Sequence, residues 1–85
     1  MARPISAAMR HVYERLELCS SVYQAMDDAH RYGDITRIER DTIDKIVARW
    51  TSTLDDSTIM NATKKRLSFK KLIQRQEETE RSHIP

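Results

Sequence analysis

The chain is poor in the residues that punctuate a backbone: one glycine, Gly33, and two prolines, Pro4 and Pro85, among 85 residues. Such scarcity argues against a sheet of tight hairpins and predicts an all-α protein of long helices. A lone cysteine, Cys19, excludes an intramolecular disulfide and points to a reducing, cytoplasmic location. Met1-Ala2-Arg3-Pro4 is not followed by an apolar run, so no secretory leader is expected, and no stretch approaches a membrane span. Large core-forming side chains are also few: Trp50, Phe69, three tyrosines and four methionines beside a limited set of Ile, Leu and Val. A single domain of this size, residues 1–85, buries only about 60–65 % of its unfolded surface. Chains of this kind often add stability by pairing with themselves or a partner.

The net charge is a modest +2, but it is unevenly spread. Residues 1–33 balance, residues 34–56 carry −2, residues 57–76 carry +6 with no acidic side chain, and residues 77–85 return to −2. The basic charge is therefore a local feature and not a general affinity of the whole chain.

Three helices are expected. The first runs from about residue 4 to 32, starting at Pro4 and stopping at Gly33, which is free to adopt positive φ. Ile5, Met9, Val12, Leu16, Cys19, Tyr23 and Met26 alternate steps of four and three, a heptad seam that Ala8, Val22 and Ala29 widen. Unbroken, this helix is roughly 40 Å long at ~1.5 Å per residue. A compact globule of this length is about 30 Å across. The helix overhangs it unless the chain bends near Ser20-Ser21.

A second helix is expected over about 36–54. Thr36 and Glu39 fit a capping box, with Asp34 as a competing cap. Ile35, Ile43, Ile46, Val47, Trp50 and Leu54 share its apolar face, and Arg40–Asp44 and Asp41–Lys45 are i,i+4 pairs on the other. A third helix is expected over about 58–80, capped from Asp55-Asp56-Ser57, followed by a tail at 81–85. Its period is irregular. Ile59, Ala62, Phe69 and Ile73 share a face, Met60 and Leu67 point elsewhere, and a break at Leu67-Ser68 is an open alternative. Short turns between the helices favour a three-helix bundle, or a helical hairpin with a long N-terminal arm.

Residues capable of chemistry do not assemble. His11, His30 and His83 form no HxxxH or CxxC-type spacing with another ligand, and Asp27, His30 and Asp34 read as a solvated helix end. Cys19 sits in the apolar seam as a small hydrophobe. Adjacent acids such as Asp27-Asp28, Asp55-Asp56 and Glu77-Glu78 point about 100° apart on a helix and do not converge on one substrate atom. Glycine-rich phosphate loops are absent too. The expectation is a protein that is not an enzyme, with no cofactor, no metal and no small-molecule substrate.

Two surfaces remain. The first is the N-terminal seam with its flanks: Ile5, Met9, Val12, Tyr13, Leu16, Leu18, Tyr23 and Met26. It offers more apolar surface than two shorter helices can cover, so a protein interface with a second copy or a heterologous partner is expected there. The second is the basic segment Lys64, Lys65, Arg66, Lys70, Lys71 and Arg75, in which Lys64, Lys71 and Arg75 form one stripe. It suits a phosphate backbone, an acidic protein or plain solvation. The functional expectation is a small helical regulator, adaptor or inhibitor acting by protein–protein interaction, of the kind common among bacterial, plasmid and phage accessory factors. Its alternative is a dimeric DNA- or RNA-associated regulator that uses the basic third helix.

Overall fold

The computed structural model describes residues 3–19 and 21–82 and contains five helices among them. They are α1 (Ile5–Leu16), α2 (Val22–Arg31), α3 (Arg37–Thr51), α4 (Asp56–Ile59) and α5 (Ala62–Ser82). No strand is present among the described residues, so the protein is all-α.

The helix expected over 4–32 is two helices. α1 begins after Pro4 and ends at Leu16. Ser21 takes an extended conformation, and its hydroxyl accepts the Gln24 N–H at 3.1 Å, so it starts α2 as a new N-cap. Serine hydroxyls compete with the helical ladder for backbone N–H groups, and here the competition wins. The fold-back also removes the overhang: α1 lies against α2, and both halves of the seam line one core. Ser20, the other residue of the expected bend, lies outside the described residues.

α2 stops at the expected glycine. Gly33 has φ +81°, its N–H reaches the His30 carbonyl at 3.2 Å, and the Asp34 N–H reaches Ala29 at 2.8 Å. That double closure of the final turn is a Schellman motif, which needs a residue without a Cβ penalty at Gly33. It drops Ile35 into the core. Thr36 and Glu39 then form the complete capping box of α3. Asp34 is not the cap; it is engaged by Arg15 at 2.7 Å.

α3 ends at Thr51, three residues short of the expected Leu54. Thr51, Ser52 and Thr53 each turn a hydroxyl onto the carbonyl three residues back, closing the last turn from the side chains. The third expected helix is also two. Asp55 caps the single turn of α4 through the Thr58 N–H at 2.8 Å. Asn61 then accepts the Lys64 N–H at 3.0 Å and starts α5. α5 is continuous through Leu67-Ser68, because the Ser68 hydroxyl accepts the Trp50 indole N–H at 3.0 Å and caps nothing. The described part of the expected tail, residues 81–82, belongs to α5; residues 83–85 lie outside the described residues.

α1 is the hub, packed against α2, α3 and α5. Met9, Val12, Met26, Ile43, Val47 and Phe69 are the largest fully buried side chains. Phe69 joins the helices: Tyr13 stacks on it at 6.3 Å and Trp50 meets it edge-on at 5.4 Å. Burying one such ring contributes about 2–3 kcal/mol. Polar clamps hold the rim. Arg3 pairs with Glu39, Arg10 with Glu77 and Arg40 with Asp27, the last in place of the i,i+4 partner Asp44. Asp41 and Lys45 form no ion pair either.

Candidate functional site

The expected N-terminal interface does not survive folding as a surface. Met9, Val12, Leu16 and Met26 lie in the core, and Ile5 packs against it. Tyr13 is half-buried on Phe69. Of the eight, Leu18, 89 % exposed, and Tyr23, 47 % exposed, are the ones that lie on the surface. A self-pairing heptad seam built on these residues would require the core to open.

The basic segment divides in two around α5. Lys65 and Arg66 are half-buried beside Leu16, Glu17 and Cys19, and Arg66 reaches Glu17 at 3.7 Å. Lys70 lies towards α1, beside Arg10, Tyr13 and Glu14. Lys64, Lys71 and Arg75 are exposed on the outer face, at i, i+7 and i+11.

That outer stripe is extended by residues from another helix. Arg75 shares a groove of about 320 Å³ with Lys45 and Arg49 of α3. Ile46, Trp50 and Leu72 form its apolar lining, with Thr53 and Gln76 supplying polar groups. Lys45, Arg49, Lys64, Lys71 and Arg75 take part in none of the five ion pairs found among the described residues, which involve Arg3, Arg10, Arg15, Arg40 and Arg66. Five cations thus lie across α3 and α5 with no carboxylate among the described residues within 4 Å of their charged nitrogens. The local sequence hides this. Lys45 and Arg49 stand four apart on one helix, but that spacing does not encode that Arg75 faces them.

Aromatic side chains do not contribute a stacking surface to this face. Trp50 is buried and spends its N–H on Ser68, while Phe69 is wholly enclosed. Tyr32 is exposed at the far end of α2, where Arg15 lies 4.9 Å above its ring.

Elsewhere, the groups that resemble chemistry are engaged structurally. Cys19 donates to Asp28 at 3.3 Å, and its thiol is pushed up by burial and then by the neighbouring carboxylate, which disfavours the nucleophilic thiolate. Asp27 and Asp34 are claimed by Arg40 and Arg15, so they do not converge on His30. His11 is half-buried on α1, and His83 lies outside the described residues. No group of three His, Cys, Asp or Glu is disposed to hold a metal among the described residues, and no helix among them is long and apolar enough to cross a membrane. A concavity of about 790 Å³ at the N-terminal ends of α1 and α3 carries Arg3 and Glu39, which satisfy each other at 2.8 Å. It brings no unpaired charge to a ligand.

Comparison of the chain with protein-family models, with curated proteins and with solved structures finds no match.

Proposed function

We propose that this is a non-enzymatic, nucleic-acid-associated protein that grips the phosphate backbone of a duplex with the α3–α5 face. The observation that carries the reading is the set of five exposed or groove-lining cations, Lys45, Arg49, Lys64, Lys71 and Arg75, none held by a carboxylate. Unpaired surface cations cost little in solution and release counterions when they meet phosphates. Lys64 to Arg75 spans about 17 Å along α5 at ~1.5 Å per residue, a length that crosses several phosphates of one strand. The lack of an exposed aromatic on this face favours backbone contact over the base stacking used by single-strand binders. A nucleic-acid ligand also accords with the cytoplasmic location that the lone cysteine suggests.

A second reading, a helical adaptor acting on a protein partner, retains Leu18 and Tyr23 from the interface expected in the sequence. Two separated side chains are a smaller basis than five cations on one face. A role as an accessory regulator is compatible with either ligand.

Fluorescence anisotropy with a labelled duplex of about 30 base pairs tests the proposal. Binding is expected to weaken by about 10²–10³ between 50 and 200 mM salt, as neutralising up to five phosphates implies. The Lys64→Ala/Lys71→Ala/Arg75→Ala variant should lose most of it. No binding at 50 mM salt would sink the reading.

A further inference from the structure

The junction of α4 and α5 carries exposed apolar side chains at the edge of the basic face. Met60 is 85 % exposed, Leu67 54 % and Ile59 44 %. Their positions are fixed by backbone bonds and caps. Asp55 caps α4, Asn61 caps α5, and the Met60 N–H bonds Asp56 at 3.0 Å. Met60 is therefore presented from a defined backbone at the junction of two helices.

Lysines lie on the α5 side of this corner, while Asp55 and Asp56 stand at the start of α4 on its other side. Lys64 extends back over α4 to the Ser57 hydroxyl at 2.9 Å. Leu67 stands one turn after Lys64 and one turn before Lys71, on the same side of α5. Thr58, Lys64, Leu67, Ser68 and Lys71 line one hollow of about 310 Å³. Leu67 therefore shares one hollow with Lys64 and Lys71, and Met60 lies at the α4 end of the same turn, two residues after Thr58.

From this we infer that Met60, supported by Leu67 and Ile59, is a wedge that enters the minor groove of duplex DNA and partly unstacks a base step while Lys64 and Lys71 hold the flanking phosphates. The inference rests on the duplex-binding reading and adds a mode to it: the protein bends its ligand. Exposed Met, Leu and Ile beside phosphate-binding cations are the side chains that such wedging uses, and the resulting kinks are about 20–90°. A protein partner would satisfy the apolar corner, but it would also have to supply acidic groups for Lys64, Lys71 and Arg75. A duplex meets both needs with phosphates on each rim of a groove. Three side chains at a corner are a small area for holding a bilayer.

The test is energy transfer between dyes at the two ends of a 30-base-pair duplex, measured at saturation beside an anisotropy titration. The wild-type protein should bind and shorten the end-to-end distance. Met60→Ala/Leu67→Ala should bind with less than about a tenfold loss and an unchanged salt slope, yet leave the duplex straight. Both side chains are exposed, and an unchanged helical circular dichroism spectrum and melting midpoint will verify the variant's fold. Wild-type binding with a steep salt slope but no bending overturns the wedge and leaves the basic face standing. Absence of duplex binding at low salt overturns both, as does binding to phosphatidylserine vesicles alone that the double variant loses.

Discussion

Glu80, near the end of α5, accepts the backbone N–H of Ser6 at 3.0 Å and the hydroxyl of the same residue, so the start of α1 is capped by a side chain 74 positions away. The first turn of α1 has no acidic residue of its own and no side-chain cap from Pro4. A carboxylate there satisfies an orphan N–H and faces the positive end of the helix dipole. Burial pushes the Glu80 carboxyl up, but the Ser6 hydroxyl and N–H, followed by Gln76, outweigh it and hold the group below its usual range. Glu39 is likewise held down, chiefly by Arg3.

Both depressed carboxyls make the fold sensitive to acid. Their contribution is present above the unfolded carboxylate range, near pH 4–5, and is lost as pH falls through the lower folded-state values. Thermal melts from pH 7 to pH 3 should show the midpoint falling below about pH 4. Glu80→Gln should lower stability at pH 7 by about 1 kcal/mol and reduce that acid sensitivity. A variant that melts like the wild type at both ends of the range would contradict the cap.

The division of the N-terminal seam predicts opposite outcomes for two neighbouring leucines. Leu16 is buried in the core, so Leu16→Ala should cost about 2–5 kcal/mol. Leu18→Ala should stay within about ±0.5 kcal/mol, because its side chain touches solvent. Urea titrations of the two variants will show the contrast. Equal losses would mean that Leu18 is covered, as the long-helix interface requires.

Gly33→Ala isolates a backbone effect. A Cβ at this position meets nothing within 4 Å, yet the positive φ disfavours any side chain. The substitution should cost about 1 kcal/mol with no change in the spectroscopic signature of the fold. A neutral result would show that the turn closes differently.

Ser68→Ala leaves the Trp50 indole N–H without its partner in a buried setting, at a cost of about 1–3 kcal/mol. Trp50 is the one tryptophan, so its fluorescence reports the change directly. An unshifted emission maximum together with an unshifted unfolding midpoint would argue against the hydrogen bond.

How legible was all this in the sequence? Start and stop signals with a complete chemical pattern read correctly: the Thr36–Glu39 box and the Gly33 stop depend on residues a few positions apart. The apolar face of α3 read correctly too, since Ile43, Val47 and Trp50 repeat at helical spacing, whereas of the face expected for the third helix Phe69 and Ile73 are buried but Ile59 and Ala62 are exposed. The break at Ser21 was legible only as an alternative, a bend near Ser20-Ser21, and the break at Asn61 was not legible. A single hydroxyl or amide ends a helix only when tertiary packing rewards the turn, and the heptad rhythm across residues 5–26 masked the first of them. The same rhythm suggested an interface, because a seam buried by a fold-back has the pattern of a seam buried by a partner. The basic stripe of α5 was visible as composition. Its continuation through Lys45 and Arg49 was not, because the partners lie on helices whose relative placement no local pattern encodes.

The central claim is that α3 and α5 act as one phosphate-binding face, and the salt dependence of duplex binding in Lys45→Ala/Arg49→Ala tests it most directly. These two residues lie outside the basic segment and form no ion pair whose loss would disturb the fold. The account predicts weaker binding and a slope of log K against log salt that is shallower by about 2, since each lost phosphate contact removes about 0.9. An unchanged slope, with the wild-type protein binding the duplex, would show that α3 takes no part and would contradict the shared face.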